Sequence, residues 1–520
     1  MERARGQDSE FYNATAELLD RTIARGVADK PAFIDRRRTL SYRELQAETH
    51  RFANLLRRLG VRREQRIGMV MQDTVEFPIV FLGAIRAGIV PVPLNTLLTP
   101  DQYAYILKDS RSRALFVSAA LLPGVEPILG RLSDLEKVVV VGEPHPPYVD
   151  FASCLAAEEP RSETADTHPD EPAFWLYSSG STGMPKGVKH VHTSLMATAE
   201  LFGQGVLGMR EDDVVFSAAK LFFAYGLGNG LTFPLSVGAT ALLLDERPTP
   251  QAVFDVMKRD RATIFCGAAT GFAGMLADPY CTPENGSDRL RLCLSAGEAL
   301  PEHVGRSWKE RFGVDIIDGI GSTEMLHIYV SNAPGDVAYG TTGRPVPGYE
   351  VRLVDDEGRD VADGEIGELL VRGPSAAEGY WNQREKSRRT FEGSWMRTGD
   401  KFVRDAEGRY TYCGRSDDMF KVSGIWVSPF EVESALIAHP AVLEAAVVPA
   451  ADTDGLLKPK AFVVLQDGRG SDDLAGALKE HVKLSVGAWK YPRWIEVVDA
   501  LPKTATGKIQ RFKLRETAAA

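Results

Sequence analysis

Cysteine is scarce in this 520-residue chain, and none of its five cysteines forms a Cys-x-x-Cys pair or a metal-like cluster. Such pairs are typical of small disulfide-stabilised secreted proteins and of zinc sites. Both classes are therefore disfavoured, and we interpret the cysteines as reduced packing residues of a cytoplasmic protein. They are Cys154, Cys266, Cys281, Cys293 and Cys413.

An excess of basic residues is also absent, because 61 lysines and arginines face 71 aspartates and glutamates, for a net charge of −10. This balance argues against a nucleic acid partner, although a local basic patch could still hold an anionic cofactor. A hydrophobic fraction of 44% with 25% charged residues is typical of globular proteins. A chain of this length exceeds the usual size of one hydrophobic core, so at least two domains are expected.

Long hydrophobic runs are almost absent. The exception is residues 221–244, which carry no charge over 24 positions and are long enough to span a bilayer. Four glycines, Asn229 and Pro234 interrupt this segment. We therefore interpret it as a buried loop followed by a strand, forming pocket wall and core, with no membrane partner. The first thirty residues lack an apolar run, so no signal peptide is expected and a cytoplasmic location is predicted.

Hydrophobic periodicity predicts an α/β fold. Ser41 and Glu44 form a capping-box pattern ahead of an amphipathic helix. The following segments "RIGMVM", "TVEFPIVFLGAIRAG" and "IVPVPLN" alternate as strand, helix and strand, and "ALFVS" and "KVVVVG" continue the series. Such alternation is typical of parallel sheets covered by helices.

The pattern changes in the last third of the chain. Residues 355–373 are rich in turns and short apolar strands, which indicates an antiparallel β subdomain. Beyond Arg415 we expect a helix starting at Pro429, the strands "LEAAVVP" and "KAFVVL", a helix near 472–486 and the strand "WIEVVD". The predicted fold is a large N-terminal α/β domain (1–415), with parallel sheets covered by helices plus a β subdomain, and a small α+β C-terminal domain (416–520).

One stretch, "YSSGSTGMPKGVKH" from Tyr177 to His190, combines small hydroxyl residues, glycines and a lysine. Small residues let backbone N–H groups converge on an anion, and Lys186 adds a positive charge, so the stretch indicates a phosphate-binding loop. A Walker loop requires Ser or Thr after the lysine, where this chain has Gly187, so a P-loop nucleotide hydrolase is disfavoured. Taken alone, the stretch is equally consistent with a plain flexible turn.

Four further motifs follow in order: "GIGSTE" (319–324), "RTGD" (397–400), "GRSDDMFKVSG" (414–424) and "LPKTATGKIQR" (501–511). Together with the glycine-rich stretch they resemble the acyl-adenylate-forming superfamily, which includes acyl-CoA synthetases, adenylation domains and luciferases. The resemblance implies that the chain activates a carboxylate with ATP and Mg²⁺ and transfers the acyl group to coenzyme A. Charge would accumulate around phosphorus, so positioned cations and N–H donors should dominate the rate acceleration.

The resemblance also implies roles for individual residues in the nucleotide site. Thr323 would contact the α-phosphate, Glu324 would hold magnesium, and Asp400 with its neighbour Arg415 would bind the ribose. Taken singly, Asp400 and Arg415 are better explained as solvated turn charges, and only the ordered set of motifs overturns that interpretation. The remaining expected ATP or AMP contacts are Ser178, Ser179, Gly180, Ser181, Thr182, Gly183 and Lys186 at the phosphates, Ser322 beside Thr323, and Gly297, Glu298, Ala299, Asp318, Gly319 and Ile320 at the adenine.

Lys508 is the principal catalytic candidate, together with Thr182 and Glu324. By resemblance, Lys508 reaches the α-phosphate and the substrate carboxylate during adenylation, and a rotation of the small domain about Asp417 later removes it. Ser423 and Gly424 would then line the pantetheine tunnel, where a side chain at Gly424 would obstruct the thiol. Without the resemblance, Lys508 reads as part of a charged tail and Ser423–Gly424 as a turn before a strand.

The acid is expected to be aromatic. The segment "KLFFAYGLG" has no acidic partner for a substrate ammonium group, which disfavours an amino acid. Phe223, Ala224, Tyr225 and Gly226 offer aromatic faces separated by small residues, a combination suited to a flat apolar ring, and by resemblance Phe223 gates the carboxylate. The other candidate acid contacts are Gly321, His327 and Ile328. His327 is equally consistent with a packed core histidine.

The segments "AKLFFAYGLGNGLTFP", "DGIGSTEMLHI" and "YGTTGRPVPGYEV" closely resemble benzoate-CoA ligases of aromatic degradation. That resemblance implies formation of benzoyl-CoA through benzoyl-AMP, with release of AMP and pyrophosphate. Three alternatives remain open: adenylation of a hydroxy- or aminobenzoate, loading of a carrier protein, and a catalytically idle nucleotide sensor. The resemblance also implies a monomer or homodimer, with an acyltransferase or deacylase acting on Lys508 as a further partner.

Overall fold

The structure, a computed structural model, describes residues 11–180, 183–422, 425–452, 456–466, 473–487, 490–503 and 509–519. Its α-helices span Tyr42–Arg58, Glu76–Arg86, Pro100–Asp109, Leu122–Val125, Phe151–Ala156, Thr193–Thr198, Ala224–Leu227, Phe233–Val237, Pro250–Arg259, Ala269–Ala277, Glu302–Phe312, Arg384–Thr390, Pro429–Ile437, Leu474–Val486 and Arg511–Ala519. Shorter 3-10 or π-helical segments span Ala16–Asp20, Ile23–Val27, Ala119–Leu121, Glu126–Arg131, Ala199–Gln204, Gly228–Thr232, Pro283–Asn285 and Thr323–Met325.

A five-stranded parallel sheet forms where short apolar strands alternate with helices. The covering helix Tyr42–Arg58 begins at Ser41, whose hydroxyl accepts a hydrogen bond from the Glu44 N–H, and the Glu44 carboxylate accepts one from the Ser41 N–H. The helix packs on the sheet through Phe52, whose ring centroid lies 4.9 Å from that of Phe116. The strands pair in the order Val90–Pro93, Arg66–Val70, Ala114–Ser118, Lys137–Val141 and Val149–Asp150.

A nine-stranded sheet forms the second layer, with antiparallel pairs at both ends of a parallel centre. The carboxyl ends of neighbouring parallel strands meet at one edge, where ligands bind in open α/β sheets. Ala296 pairs with Gly319 in adjacent strands, which brings the residues after them together. The strand order is Arg344–Pro345, Ile328–Ser331, Ile316–Gly321, Leu292–Ala296, Ile264–Gly267, Val214–Ser217, Thr240–Leu242, Pro31–Ile34 and Thr39–Ser41.

The remaining sheets are mainly antiparallel. The strands Pro172–Gly180 and Gly183–Val191 form a hairpin, here called the phosphate hairpin, to which the short strand Gly379–Tyr380 adds. A second antiparallel sheet contains Glu350–Val354, Ile366–Arg372, Trp395–Arg404, Phe391–Glu392 and Tyr410–Arg415. After Arg415 come the pair Phe420–Val422 with Ile425–Val427, and the sheet Val442–Ala451, Leu457–Leu465 and Trp494–Val497.

The predicted fold class is confirmed: helices cover parallel sheets, an antiparallel sheet follows, and an α+β unit comes last. The helix predicted at Pro429 spans Pro429–Ile437, and the helix predicted near 472–486 spans Leu474–Val486. The domain boundary predicted between 415 and 416 falls in a turn, since one strand ends at Arg415 and the next begins at Phe420. The five cysteines are free thiols, and Cys266, Cys281 and Cys293 are buried.

Residues 221–244 form buried core, as predicted, but the expected loop before the strand is largely helical. The helical segments are Ala224–Leu227, Gly228–Thr232 and Phe233–Val237, and the strand is Thr240–Leu242. Glycine permits this packing, because a Cβ atom on Gly226 would lie 2.0 Å from the carbonyl oxygen of Lys220. Across the described part of the chain, no helix combines the length and the apolar character needed to cross a membrane.

Candidate active site

The predicted phosphate-binding loop is the closed end of the phosphate hairpin. Ser178 pairs with Lys186 across the two strands, and Gly180 pairs with Gly183. Ser179 belongs to the same strand as Ser178, whereas Ser181 and Thr182 lie outside the described residues. The Ser178 hydroxyl oxygen is buried and has no hydrogen-bond partner in the described structure, so a donor remains for an anion.

Lys186 and Glu324 form an ion pair at the base of this hairpin. Lys186 Nζ lies 2.9 Å from Glu324 Oε1, and the two side chains are only 12% and 13% exposed. Burial alone would raise the pKa of Glu324, but the charge of Lys186 and hydrogen bonds from Lys186 and Tyr380 outweigh it and lower this pKa. Glu324 is therefore held as a carboxylate, the form that binds a divalent cation.

Tyr380, which the sequence motifs did not single out, completes this group. Its hydroxyl accepts a hydrogen bond from Lys186 Nζ at 2.8 Å and donates one to Glu324 Oε1 at 2.8 Å. Lys386 lies in the same electrostatic environment, and burial followed by the charge of Lys186 lowers its pKa. The charges of Lys186 and Lys386 exceed the single charge of Glu324, so the group is net positive and suited to phosphates.

The turn that contains Thr323, the predicted α-phosphate contact, is stabilised by hydrogen bonds at Ser322 and His190. Ser322 Oγ accepts a hydrogen bond from the Met325 N–H, which caps the turn Thr323–Met325. The buried imidazole of His190 bonds through Nε2 to the carbonyl oxygen of Thr323 at 2.8 Å. Burial lowers the pKa of His190 to about 4, so the ring is neutral and Nε2 is assigned as the donor. Sequence reasoning missed this role of His190.

The predicted adenine contacts meet at the carboxyl ends of two neighbouring parallel strands. Gly297, Glu298 and Ala299 follow Leu292–Ala296, and Asp318, Gly319 and Ile320 lie in the adjacent strand. Gly297 has a φ of +89°, which favours glycine. Burial raises the pKa of Asp318, and its Oδ1 atom has no hydrogen-bond partner among the described residues. An unpaired buried oxygen at this edge fits a ligand with hydrogen-bond donors.

The predicted ribose contacts face each other across two antiparallel strands. Asp400 and Arg415 are directly paired, and Arg415 Nη1 lies 3.1 Å from Asp400 Oδ1. Arg415 also donates to the carbonyl oxygen of Thr398. Burial alone would lower the pKa of Arg415, but the nearby Asp400 carboxylate raises it above its ordinary value. The structure therefore brings these two predicted residues together.

The predicted acid-binding segment is anchored at several points. The Tyr225 hydroxyl donates to the carbonyl oxygens of Gly267 at 3.1 Å and Leu294 at 2.9 Å, which ties the segment to the nine-stranded sheet. Phe223 is half-buried, whereas Ala224 and Gly226 are buried. Lys220 Nζ donates to the Glu246 carbonyl oxygen at 2.8 Å.

A further anchor of the same segment is the buried Asp73, which sequence reasoning missed. Its carboxylate accepts hydrogen bonds from the Leu221 N–H at 3.2 and 3.3 Å. Burial raises the pKa of Asp73 to about 6, while the charge of Lys220 and the Leu221 hydrogen bond oppose this increase. The "QD" pair directly after an apolar strand is the sequence signal that could have indicated it.

His327 lies among aromatic rings. Its ring centroid is 4.5 Å from that of Phe233, 5.4 Å from that of Phe202 and 5.7 Å from that of Tyr225. Burial lowers the pKa of His327 to about 3, so the imidazole is neutral near pH 7. Its Nδ1 atom is buried and has no hydrogen-bond partner among the described residues. The structure thus combines features of the packed histidine and of a ligand contact.

Gly321 and Gly228 approach His327 so closely that neither position has room for a side chain. A Cβ atom on Gly321 would lie 2.5 Å from the His327 carbonyl oxygen, and one on Gly228 would lie 2.4 Å from His327 Cδ2. Ile328 is 1% exposed, and its Cγ2 atom faces Gly319. The predicted acid contacts Gly321, His327 and Ile328 are therefore adjacent to the predicted adenine strand.

The residues assigned to the second half-reaction are only partly described. Asp417 lies in the turn between Tyr410–Arg415 and Phe420–Val422, and the N–H of its neighbour Asp418 donates to the Arg415 carbonyl oxygen at 3.0 Å. Ser423, Gly424 and Lys508 lie outside the described residues. Their proposed roles stay predictions.

The residues present fit a magnesium ion that arrives with a nucleotide. In the described part of the chain, no cluster of three or more histidine, cysteine, aspartate or glutamate side chains could hold a metal ion by itself. Mg²⁺ commonly binds through one or two carboxylates together with water and substrate phosphates. The ionised Glu324 would supply one such oxygen ligand at the base of the phosphate hairpin.

Comparisons with known proteins give a consistent result. The AMP-binding enzyme family matches residues 19–381, and the AMP-binding enzyme C-terminal domain matches residues 431–508. A 4-hydroxybenzoate–CoA/benzoate–CoA ligase of Rhodopseudomonas palustris is 57% identical over 97% of this chain and 94% of the relative. The crystal structure of a benzoate CoA ligase from Burkholderia xenovorans matches with a TM-score of 0.90 and 52% identity, covering 97% of this chain and 100% of that one.

A second solved structure, an anthranilate CoA ligase in complex with anthranoyl-AMP, matches with a TM-score of 0.94 and 46% identity, covering 98% of both chains. That relative therefore binds an aromatic acyl-adenylate. The folds agree over nearly the whole of this chain.

The raised pKa of Asp73 predicts a pH dependence of stability. Between about pH 4 and 6 the unfolded chain has lost this proton and the native protein has not, so native stability falls as the pH rises. Asp73→Asn removes this titration but keeps an acceptor for Leu221. The free energy of unfolding of this variant minus that of the native sequence should increase by about 2–3 kcal/mol from pH 4 to pH 7, as measured by urea titration.

Asp288→Asn is the matched control for this measurement. The Arg261 hydrogen bond lowers the pKa of this exposed aspartate, so the substitution should give no comparable gain on raising the pH. A difference between Asp73→Asn and the native sequence that stays flat from pH 4 to pH 7 would contradict the assignment.

Proposed function

This chain belongs to the AMP-binding enzyme family, and from that membership we propose that it is an aryl-CoA ligase that converts benzoate, ATP and coenzyme A into benzoyl-CoA, AMP and pyrophosphate. The near full-length similarity to the R. palustris ligase carries this proposal. In the first half-reaction a carboxylate oxygen of benzoate bonds to the α-phosphorus of ATP, and the bond to pyrophosphate breaks. In the second half-reaction the CoA thiol replaces AMP on the acyl carbon.

Adenylation requires that negative charge on the phosphates be balanced. Lys186 and the phosphate hairpin would bind the outer phosphates, and Thr323 would bind the α-phosphate. Asp400 would accept hydrogen bonds from the ribose hydroxyls, and the edge formed by Gly297 and Asp318 would bind the adenine. Such fixed charges and dipoles lower the barrier because they need no reorganisation during the reaction.

Glu324 is proposed to hold Mg²⁺. When bound, this ion neutralises phosphate charge and orients the leaving pyrophosphate. Hydrogen bonds from Lys186 and Tyr380 to Oε1 keep the carboxylate ionised and fix its direction.

Lys508 is proposed to supply the remaining cation for adenylation. It would bridge the α-phosphate and the carboxylate of the acid, so that the two reacting groups approach despite their like charges. A loop residue can absorb the backbone change of a domain rotation, and Asp417 lies in such a turn between 415 and 420. Ser423 and Gly424 would then line the path of the thiol.

The acid is proposed to bind beside the Phe223–Gly226 segment and His327. Neutral imidazole and aromatic rings suit an uncharged benzene ring better than an amino acid. A pocket with such apolar contacts separates substrates that differ by one small group by only about 1–3 kcal/mol, so hydroxy- and aminobenzoates are expected as slower substrates.

We also propose that the enzyme acts in the cytoplasm as a monomer or homodimer in aromatic degradation. Acylation of Lys508 would neutralise its charge, so an acyltransferase and a deacylase would switch adenylation off and on.

The reaction is tested with a panel of benzoate, hydroxybenzoates, 2-aminobenzoate, aliphatic acids and amino acids. Benzoate should give ATP–pyrophosphate exchange without CoA, and free CoA should yield benzoyl-CoA with stoichiometric AMP. Exchange that no aromatic acid supports would refute the proposal. Exchange without acyl transfer to free CoA would instead favour a carrier protein as acceptor.

Lys508→Ala should abolish benzoate-dependent ATP–pyrophosphate exchange but largely spare thioester formation from supplied benzoyl-AMP and CoA. The reason is that the lysine charge is needed only while phosphorus carries the developing negative charge. Gly424→Leu is the reciprocal variant, which should retain exchange and lose thioester formation. Equal loss of both steps in Lys508→Ala would contradict the separation of roles.

Gly228→Ala tests the place of His327 in the acid pocket. The new methyl group would lie 2.4 Å from His327 Cδ2, so the imidazole ring must shift. We expect kcat/KM for benzoate to fall about tenfold, with KM for ATP unchanged. Gly271→Ala is the matched control, because its Cβ would meet nothing within 4 Å. Unchanged benzoate kinetics in Gly228→Ala would place the acid elsewhere.

A further inference from the structure

The Tyr380 phenol closes a triangle of contacts with two predicted nucleotide ligands. Lys186 Nζ to Tyr380 Oη is 2.8 Å, Tyr380 Oη to Glu324 Oε1 is 2.8 Å, and Lys186 Nζ to Glu324 Oε1 is 2.9 Å. Lys186 Nζ also lies 4.1 Å from the centroid of the phenol ring. The hydroxyl accepts from the cation and donates to the anion, a combination that no apolar ring can provide.

The backbone around Tyr380 is fixed to the phosphate hairpin. Gly379 and Tyr380 pair with Lys189 and Val188, and the following Trp381 N–H donates to the Gly187 carbonyl oxygen at 2.8 Å. On its other side, the Tyr380 N–H donates to Ser387 Oγ at 2.9 Å. The phenol is therefore held in place while the long side chain of Lys186 depends on contacts for its direction.

The contacts of Lys186 matter because the nearby charges alone do not fix the position of its ammonium group. A lysine side chain loses much of its rotamer entropy when it is ordered. Lys386 also acts on Lys186 and Glu324 electrostatically and repels the ammonium group. The Tyr380 hydroxyl supplies an uncharged acceptor that opposes this repulsion and leaves the net positive charge available to phosphate.

We propose that Tyr380 is a positioning residue, whose hydroxyl directs Lys186 toward the outer phosphates of ATP and Glu324 toward the accompanying divalent cation. The inference rests on the proposed function of this site and adds a residue that the motif pattern does not include. A ligand without the outer phosphates and the cation should not depend on Tyr380. AMP is such a ligand, so MgATP and AMP separate positioning from general damage to the site.

Isothermal titration calorimetry of MgATP and of AMP, without any acid, tests this assignment on the full chain. Tyr380→Phe keeps the ring beneath Lys186 and removes only the hydroxyl. Its affinity for MgATP should fall about tenfold, the size expected for losing a hydrogen bond to a charged group, with the affinity for AMP unchanged. Thioester formation from supplied benzoyl-AMP should also persist. Tyr103→Phe is the matched control, because this buried phenol donates to the Asn95 carbonyl oxygen away from the site.

Unchanged MgATP affinity in Tyr380→Phe would overturn the proposal, and so would equal losses for MgATP and AMP, which indicate a structural role alone. If that variant does not fold, Ser387→Ala provides the test, because it removes the hydrogen bond to the Tyr380 backbone and leaves the phenol. Ser387→Ala should weaken the binding of MgATP but not that of AMP. Nucleotide binding needs no carboxylic acid, so failure of the acid panel and failure of this inference are separate outcomes.

Discussion

The buried ion pair between Lys186 and Glu324 is the contact on which the nucleotide site depends. Its members come from different sheets, since Lys186 belongs to the phosphate hairpin and Glu324 follows the strand Ile316–Gly321 of the nine-stranded sheet. A charge with so little exposure is costly without a partner, so the two sheets must be in contact before either group is stable. The same pair holds the Glu324 carboxylate in the ionised state. The proposed phosphate and cation sites thus share one structural requirement.

Close packing around Gly226 and Gly228 shapes the proposed binding site for the acid. The helical segments between 224 and 237 approach Lys220 and His327 so closely that a methyl group at Gly226 or Gly228 would overlap them. This packing removes water from His327 and keeps its imidazole neutral. An apolar wall with one neutral polar ring favours an aromatic acid. The family to which the chain belongs accounts for the nucleotide chemistry, and this local packing adds to the similarity to benzoate-CoA ligases in supporting an aromatic acid.

Much of the fold follows from local sequence patterns. The Ser41–Glu44 capping box, the strand, helix and strand between 66 and 93, and the helix at Pro429 were predicted because each depends on neighbours within a few residues. The ordered motifs indicated Lys186, Glu324, Asp400 and Arg415. The helical character of residues 224–237 was missed, because three glycines and a proline argue against helix unless tertiary packing compensates. The place of Lys508 relative to the site stays a prediction.

By itself, the sequence determined the fold class, the order of elements and the family motifs, because hydrophobic periodicity and capping are local. Tertiary structure decided which distant side chains lie close enough to interact. Tyr380 lies 194 positions from Lys186, and Asp73 lies 148 positions from Leu221, so no local pattern could link them. Tertiary structure also decided which ionisable groups have shifted pKa values, because the pKa values of Asp73 and His327 depend on burial by distant segments. Desolvation and hydrogen bonding act through space, and the chain order does not encode those distances directly.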